Sequence, residues 1–106
     1  KSKNGFLMTS GQLGINLDGS IPTSFSEQTN LCFSNIFLII KEAELEPKDI
    51  LRINTFLTDR QNLNEYMKIR DKFFSNISVK PASTVVIVSG FTKEEFLVEI
   101  EATAQR

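Results

Sequence analysis

Two glutamates near the carboxyl end of the chain have the spacing that most directly suggests chemistry. Glu99 and Glu101 alternate with three apolar residues in the run VEIEA, and side chains alternate across a β-strand, so both carboxylates should share one face. Two acids on one face can have separated pKa values, with one acting as a base while the other stays ionised. The alternative is a solvated edge of charge, and the location of the strand decides between the two.

A second candidate site is the polar turn Thr9, Ser10, Gly11 and Gln12 near the amino end. Ser10 and Gln12 supply hydrogen-bond donors and acceptors, and Gly11 between them lets a ligand approach the backbone. The same residues are more typical of a strand that ends in a serine turn. Gly11 and Gly14 alone lack the further residues of a dinucleotide or phosphate-binding motif, so phosphate binding has little support.

Hydroxyl groups at the head of a later apolar run form a third candidate. Ser83 and Thr84 follow Pro81, which restrains the entry to a strand. Hydroxyls at a strand start more often serve as structural hydrogen-bonders. Among the nine phenylalanines only Phe91, in a predicted turn, is a candidate ligand contact, because the spacing of the others is typical of a core.

A first helix is predicted over residues 25–44. Ser24 and Glu27 have the spacing of a capping box, and apolar residues then recur at helical intervals. Pro47 prevents any extension, because proline cannot donate the next helix hydrogen bond.

A strand over residues 50–58 and a second helix should follow. Alternate apolar positions that begin at Leu51 predict one core face for this strand. Asn62 and Glu65 repeat the capping-box spacing and predict a helix that ends near Asn76.

The last two strands, within residues 80–102, are predicted to form a hairpin around a glycine-containing turn. The four β-branched residues at 85–88 place apolar side chains on both faces of the first of these strands, which therefore needs cover on two sides. Two helices can cover one face of the sheet. The missing cover indicates another copy of the chain in a closed homo-oligomer, with small active sites between subunits.

Bulk composition narrows the class of protein. A chain of 106 residues with 41% apolar composition predicts a single domain over residues 1–106. The net charge of −1 with scattered cations makes nucleic-acid binding unlikely, and the absence of histidine disfavours zinc and Ser-His-Asp chemistry. Cys32 is the single cysteine, and no apolar stretch is long enough to span a bilayer. We expect a cytoplasmic protein with no membrane partner, a mitochondrial location being the alternative.

Five segments that together span almost the whole chain are FLMTSGQLG, SFSEQTNLCFSNI, DILRINTFLTD, KPAST and VEIEATA. Jointly they resemble the RidA family, also called YjgF and known by the older label L-PSP endoribonuclease. The resemblance implies an α+β fold of the chorismate-mutase-like type, with two helices on one face of a mixed sheet and a homotrimeric assembly. It also implies clefts between subunits, where deaminase members hydrolyse reactive 2-imino acids to 2-keto acids and ammonia without a metal or an organic cofactor.

The family's functional residues carry over only in part. Ser10 matches the serine of the family's TSG motif, and Glu99 matches the first glutamate of its E-I-E motif, which positions water, so the resemblance implies catalytic roles for both. Deaminase members have P-A-R at the strand mouth, where the arginine clamps the substrate carboxylate, but Ser83 stands at that position here. Loss of a bidentate, charge-assisted contact should remove about 2 to 4 kcal/mol of anchoring.

Other positions depart from the family in the same way. Met67 stands where members often carry an asparagine, and Arg70 stands where they carry a tyrosine. The G-P-Y-S-like segment that usually precedes the first strand is not in this sequence.

These observations predict an intersubunit cleft that binds a small polar metabolite similar to a 2-imino or 2-keto acid, with imine deamination weak or absent. Gly11, Gln12, Ser83, Thr84, Phe91 and Arg70 are the predicted ligand contacts. An active deaminase is the alternative if Arg70, Arg52 or Lys80 supplies the missing cation. An interaction or chaperone-like role and RNA cleavage are further alternatives, although the chain has no basic groove with stacking aromatics.

Overall fold

Six strands and two α-helices make up the computed structural model, which describes residues 2–106. In chain order they are β1 (Ser2–Lys3), β2 (Phe6–Met8), β3 (Gln12–Leu13), α1 (Phe25–Glu42), β4 (Ile50–Leu57), α2 (Leu63–Phe73), β5 (Ala82–Ile87) and β6 (Val98–Gln105). Short 3₁₀ turns at Pro47–Asp49 and Arg60–Asn62 precede β4 and α2. Neither α-helix of this described part is long and apolar enough to cross a membrane.

The sheet is mixed, with the order β1-β2-β6-β4-β5, and β3 pairs with β6 beside β2. Strand β4 is parallel to β5 and antiparallel to β6. The predicted hairpin over residues 80–102 is therefore wrong, because β5 and β6 lie on opposite sides of β4. Helix α2 provides the crossover that a parallel β4–β5 pair requires, and β6 then takes the other edge of β4.

The two helices cover one face of the sheet and leave the other partly open. On β4, Ile53, Thr55 and Leu57 are fully buried beneath the helices, whereas the alternate residues Asn54 and Phe56 face the other side and are only half-buried. Strand β6 repeats this pattern, with apolar residues inward and glutamates outward. The α+β architecture with a mixed sheet and two helices agrees with the sequence prediction.

One strand position was predicted on the wrong face. Leu51 was expected in the core, but it is 50% exposed, while its neighbour Ile50 is 3% exposed. A register shift between Ile50 and Arg52 interrupts the pairing of β4 with β6. Such a β-bulge reverses the side-chain alternation on its far side, which a strictly alternating pattern does not anticipate.

The predicted start of α1 is confirmed, whereas its predicted end and the predicted cap of α2 are wrong. The Ser24 hydroxyl accepts a hydrogen bond from the Glu27 backbone as predicted, but α1 ends two residues early because Glu44 adopts a left-handed backbone with φ of 62°. Asn62 makes no side-chain cap for α2. Asp59 instead accepts from the Gln61 backbone and begins the preceding 3₁₀ turn.

Strand β5 lies at the edge of the sheet, and its apolar side chains are not covered within one chain. Val86 is 45% exposed and Ile87 is 40% exposed, although they lie on opposite faces of the strand. This exposure agrees with the expectation that residues 85–88 need cover from outside the chain, which stays a prediction.

Gln28 is a fully buried polar residue that joins the start of α1 to the segment before β6. Its Nε2 donates to the carbonyl oxygens of Pro22 and Glu95, both at 2.8 Å, and its Oε1 accepts from the Leu97 backbone at 2.9 Å. A Cβ atom on Gly14 would come within 2.6 Å of Gln28 Cα, so only glycine allows this approach to the helix. Gln28 therefore holds the start of α1 against the segment that precedes β6.

Replacement of Gln28 by leucine should lower the free energy of unfolding by about 3 kcal/mol or more, because three buried backbone groups would lose their partners. Thermal and denaturant unfolding measure this loss. The matched control is Gln61→Leu at an exposed position, where a change within about 0.5 kcal/mol is expected. Equal effects of the two substitutions would contradict the assigned role of Gln28.

Candidate functional site

The TSG turn and Glu99 come together in the folded chain. Strand β3 pairs with β6 so that Leu13 lies opposite Glu99, which brings Gly11 against the glutamate side chain. A Cβ atom on Gly11 would lie 2.6 Å from Glu99 Cδ and 2.7 Å from Oε2. A larger residue at position 11 would therefore displace the Glu99 carboxylate.

Thr9, the first residue of the candidate turn, anchors it to β6. Its backbone N–H donates to the Ala102 carbonyl at 2.9 Å, and its Oγ1 accepts from the Ala102 N–H at 3.0 Å. Strand β2 ends at this point, and Ser10 is exposed beyond it, with its carbonyl accepting from Gln12 Nε2 at 3.1 Å. The pairing of Thr9 with β6 therefore holds Ser10, Gly11 and Gln12 beside Glu99.

The two glutamates of β6 have different surroundings. Burial raises the pKa of Glu99, and the charge of Glu101 raises it further. Glu101 accepts a long hydrogen bond of 3.4 Å from Asn54 Nδ2. Glu99 therefore takes up a proton more readily than an ordinary glutamate, which is the property of a general base.

Cys32 lies beneath the same strands, but it is not a reactive thiol. Burial raises its pKa to about 12, and the charge of Glu99 adds to the shift. The thiol donates to the Gln12 carbonyl at 3.2 Å. A thiol with this pKa stays protonated near neutral pH and cannot act as a nucleophile.

Ser83 lies in a different place, next to helix α2. Arg70 Nη1 donates to Ser83 Oγ at 3.3 Å. The two residues line a surface pocket of about 260 Å³, hereafter the anion pocket, whose wall consists of Arg70, Asp71, Phe74, Lys80, Pro81 and Ser83. A guanidinium thus stands beside Ser83.

The Arg70 guanidinium is held by hydrogen bonds that use some, but not all, of its N–H groups. Its Nε and Nη2 atoms both lie 3.0 Å from Asp71 Oδ1, and its side chain is 25% exposed. These two contacts and the Ser83 contact use three of the five guanidinium N–H groups, so one N–H on each terminal nitrogen remains for a ligand.

The other two cations considered from the sequence have structural partners. Lys80 Nζ donates to the Phe74 and Ile77 carbonyls, both at 2.6 Å, and so caps the end of α2. Arg52 Nη1 donates to Thr84 Oγ1 at 2.8 Å on the open face of the sheet. Of the three, Arg70 is the cation that meets Ser83.

Tyr66 is a residue of α2 whose ring lies beside Arg70, with Arg70 Cζ 5.9 Å from the ring centroid. It is fully buried, and its hydroxyl is hydrogen-bonded to that of Thr55. Burial raises the pKa of Tyr66, while hydrogen bonds from Thr55 and Ser83 and the charge of Arg70 oppose the shift. Its polar partners come from a helix and two strands, so tertiary packing rather than spacing brings them together.

The two groups of candidate residues lie on opposite faces of the sheet. Ser83 pairs with Ile53, which lies beneath the helices, whereas Glu99 pairs with Phe56 on the open face. Two strand spacings and three residues of strand length separate them, about 14 Å between Cα atoms by standard strand geometry. One small molecule cannot contact both Ser83 and Glu99 of the same chain.

The remaining predicted contacts join neither group of residues directly. Thr84 pairs with Asn54 on the open face, one residue from Ser83 but pointing the other way. Phe91 is half-buried in the connection between β5 and β6.

Comparison with known proteins identifies the family. A family model described as Endoribonuclease L-PSP matches residues 1–106. A RutC family protein of Aquifex aeolicus is 38% identical over 84 residues, which are 78% of this chain and 67% of that protein. The Escherichia coli protein named "Putative reactive intermediate deaminase TdcF" is 30% identical over 102 residues, 94% of this chain and 78% of its own length.

Two solved structures from Escherichia coli have the same fold. The YjgF gene product superposes with a TM-score of 0.92 at 27% identity, covering 100% of this chain and 84% of its own. TdcF with bound serine superposes with a TM-score of 0.93 at 28% identity, with the same coverage of both chains. The chain therefore belongs to the endoribonuclease L-PSP family, the RidA/YjgF family that its sequence resembles, and has that family's α+β fold.

Proposed function

We propose that this protein binds a small carboxylate-bearing metabolite in a cleft between two copies of the chain and slowly hydrolyses 2-imino acids there. The observation that carries this proposal is the Arg70 guanidinium 3.3 Å from Ser83. It supplies a cation at the position where deaminase members of the family carry their clamp arginine, and so it favours a retained reaction over a lost one.

Arg70 can hold a carboxylate, but more weakly than an unpaired arginine would. Its two remaining N–H groups lie on different terminal nitrogens, an arrangement that suits the two oxygens of a carboxylate. Asp71 competes for the same positive charge at 3.0 Å. We therefore expect slower turnover, or weaker substrate binding, than in members that carry the strand arginine.

A second copy of the chain is needed to complete the site. Arg70 and Glu99 approach opposite faces of one sheet, and the exposed side chain of Val86 on the open face provides an apolar contact for association. A closed ring of identical subunits would bring Arg70 of one copy to Glu99 of the next. We propose a homotrimer on this basis and on the resemblance to the family.

The comparisons support the class of ligand. TdcF is described as a reactive intermediate deaminase, and its crystal structure contains bound serine, a small molecule with a carboxylate and an amino group on adjacent carbons. A 2-imino acid has the same carboxylate beside a carbon–nitrogen double bond. The anion pocket would take the carboxylate and leave the imine carbon toward Glu99 of the neighbouring copy.

The proposed hydrolysis requires one water molecule and no electron transfer. Glu99 accepts a proton from water while the water oxygen forms a bond to the imine carbon, and Glu99 then passes this proton to the nitrogen, which becomes an amine. Glu99 next accepts the proton of the new hydroxyl group and passes it to the nitrogen as the carbon–nitrogen bond breaks, which releases ammonia and leaves the 2-keto acid. The raised pKa of Glu99 suits both proton transfers.

The first test measures hydrolysis of 2-iminobutanoate made in place by a threonine dehydratase, with semicarbazide as the competing trap. Arg70→Gln should lower kcat/KM by about 10- to 100-fold, the value of one charge-assisted hydrogen bond. Glu99→Gln should lower it by about 100-fold or more through loss of the general base. Arg60→Ala, which changes an exposed arginine, is the matched control and should leave the rate unchanged.

The contrary result is equally clear. If the wild-type protein shows no acceleration while the double variant Ser83→Arg, Arg70→Tyr gains it, the site is a deaminase site that has lost its reaction. Acceleration that survives Arg70→Gln would exclude Arg70 as the carboxylate-binding cation.

The second test asks whether one cleft uses residues of two chains. Co-expression of the Arg70→Gln and Glu99→Gln variants should restore up to about a quarter of wild-type activity, because about one in four clefts of a randomly mixed ring receives both native residues. The separately expressed variants are the controls. No recovery in demonstrably mixed oligomers would mean that Arg70 and Glu99 do not meet across subunits.

The third test concerns the stability cost of Glu99. Because its pKa is raised in the folded chain, the folded state holds the proton more tightly than the unfolded state, and stability falls as pH rises above the ordinary glutamate value of about 4.3. Glu99→Gln should therefore raise the melting temperature at pH 7 and have little effect near pH 4. A variant equally stabilised at both pH values would contradict this cause.

A further inference from the structure

Asp71 is a carboxylate on the wall of the anion pocket that the proposed reaction does not use. It follows Arg70 on α2 and lines the same pocket of about 260 Å³. Its Oδ1 atom accepts from Arg70 Nε at 3.0 Å and lies 3.0 Å from Nη2, whereas its side chain is 69% exposed. An ion pair this exposed contributes little to stability, so packing alone gives no reason for an acid beside the cation of this pocket.

The geometry of this ion pair leaves part of each partner available. Both contacts of Asp71 lie on the Nε–Nη2 edge of the Arg70 guanidinium, so one N–H on each of Nη1 and Nη2 remains for a ligand. Within the described residues 2–106, Asp71 Oδ2 makes no hydrogen bond. The pocket therefore presents two unused donors and an unused acceptor next to each other.

A ligand carboxylate on the Nη1–Nη2 edge of Arg70 would lie close to the Asp71 carboxylate. Two oxygens bound to the two hydrogens of one planar nitrogen are about 5 Å apart, and like charges at this separation repel each other even near a protein surface. Lys80 adds positive charge to the pocket wall, but its ammonium group is already bonded to two backbone carbonyls. A ligand whose only charged group is a carboxylate is therefore at a disadvantage.

A cationic nitrogen next to the carboxylate removes this disadvantage. In a 2-amino acid, or in a 2-imino acid protonated on nitrogen, the charged N–H group is attached to the carbon that bears the carboxylate. With the carboxylate on Arg70, this N–H group can donate to Asp71 Oδ2, so that a charge-assisted hydrogen bond replaces the repulsion. A 2-keto acid has a carbonyl oxygen at the same position, and this oxygen has no hydrogen to donate.

We propose that Asp71 is a specificity-determining residue of the anion pocket: it makes the pocket select ligands that carry a cationic nitrogen beside their carboxylate, and so favours 2-imino and 2-amino acids over 2-keto acids. This inference rests on the proposed binding of a carboxylate by Arg70. In the proposed hydrolysis the nitrogen leaves as ammonia, and the 2-keto acid that remains has lost the group that Asp71 binds. Asp71 therefore favours release of the product.

Calorimetry with two probes of the same carbon skeleton tests this role. The probes are 2-aminobutanoate, a zwitterion at pH 7, and 2-oxobutanoate, an anion. The wild type should bind 2-aminobutanoate about fivefold more tightly than 2-oxobutanoate, the value of one exposed ion pair. Asp71→Asn should reverse this preference, because 2-oxobutanoate should bind about fivefold more tightly and 2-aminobutanoate about fivefold more weakly than to the wild type.

The ratio of the two dissociation constants is the deciding quantity, because a general loosening of Arg70 would change both by the same factor. Glu65→Gln removes the same charge from an exposed position of α2 outside the pocket wall, and it should leave the ratio unchanged. Arg70→Gln should weaken the binding of both probes by about 10-fold or more, because both carboxylates lose a charged donor.

Inhibition of the hydrolysis assay gives an independent readout. Butanoate has the carboxylate without the nitrogen and does not react with semicarbazide, so it can be added without disturbing the trap. It should inhibit Asp71→Asn at about one fifth of the concentration that inhibits the wild type. Glu65→Gln should be inhibited at the same concentration as the wild type.

The outcomes distinguish this inference from the proposed function. If Asp71→Asn changes both dissociation constants by the same factor, or if the wild type binds 2-oxobutanoate as tightly as 2-aminobutanoate, selection by Asp71 is wrong while carboxylate binding by Arg70 stands. If the wild type binds neither probe, or if Arg70→Gln binds both as tightly as the wild type, this inference and the proposed function both fall.

Discussion

The position of β4 between β5 and β6 is the constraint on which the rest of this structure depends. Because β4 separates these strands and side chains alternate across each of them, Ser83 approaches the helix-covered face and Glu99 the open face. The chain therefore presents two incomplete sites. A reaction that needs both a cation and a general base would depend on assembly, and the uncovered apolar residues of the edge strand supply a physical reason for assembly.

The two groups of candidate residues differ in the electrostatic surroundings of their charged side chains. Glu99 is partly desolvated and faces a second glutamate, so its negative charge is unfavourable in the isolated chain. Arg70 is held by Asp71 and by the ring of Tyr66, so its positive charge is stabilised but shared. A carboxylate ligand with an electrophilic carbon would relieve neither group alone. In the proposed reaction one ligand would bridge the partly desolvated carboxylate and the paired guanidinium.

The sequence was sufficient to predict features that depend on residues close together in the chain. It was insufficient to predict features that depend on which strands pair. The Ser24 cap and the covered face of the sheet follow from spacing, the α+β class follows from the resemblance to the family, and the structure agrees with all three. The hairpin prediction failed because the apolar run after Ser83 does not reveal which strand it pairs with. The predicted placement of Leu51 in the core was wrong because a β-bulge reverses the alternation of side chains along β4. The contact of Arg70 with Ser83 joins residues of a helix and a strand, so no spacing rule could have predicted it.

Two buried polar systems of this fold differ in a way that separates structure from function. The Gln28 side chain makes three hydrogen bonds, all to backbone groups, so its polar atoms serve only the packing of the chain. The Thr55–Tyr66 pair lies instead beside Arg70, whose guanidinium is 5.9 Å from the Tyr66 ring and donates to Ser83 on the wall of a pocket. Both avoid the penalty of an unpaired buried group. Only the second system is in contact with a residue of the pocket wall, so only the second links the packing of the core to a surface pocket.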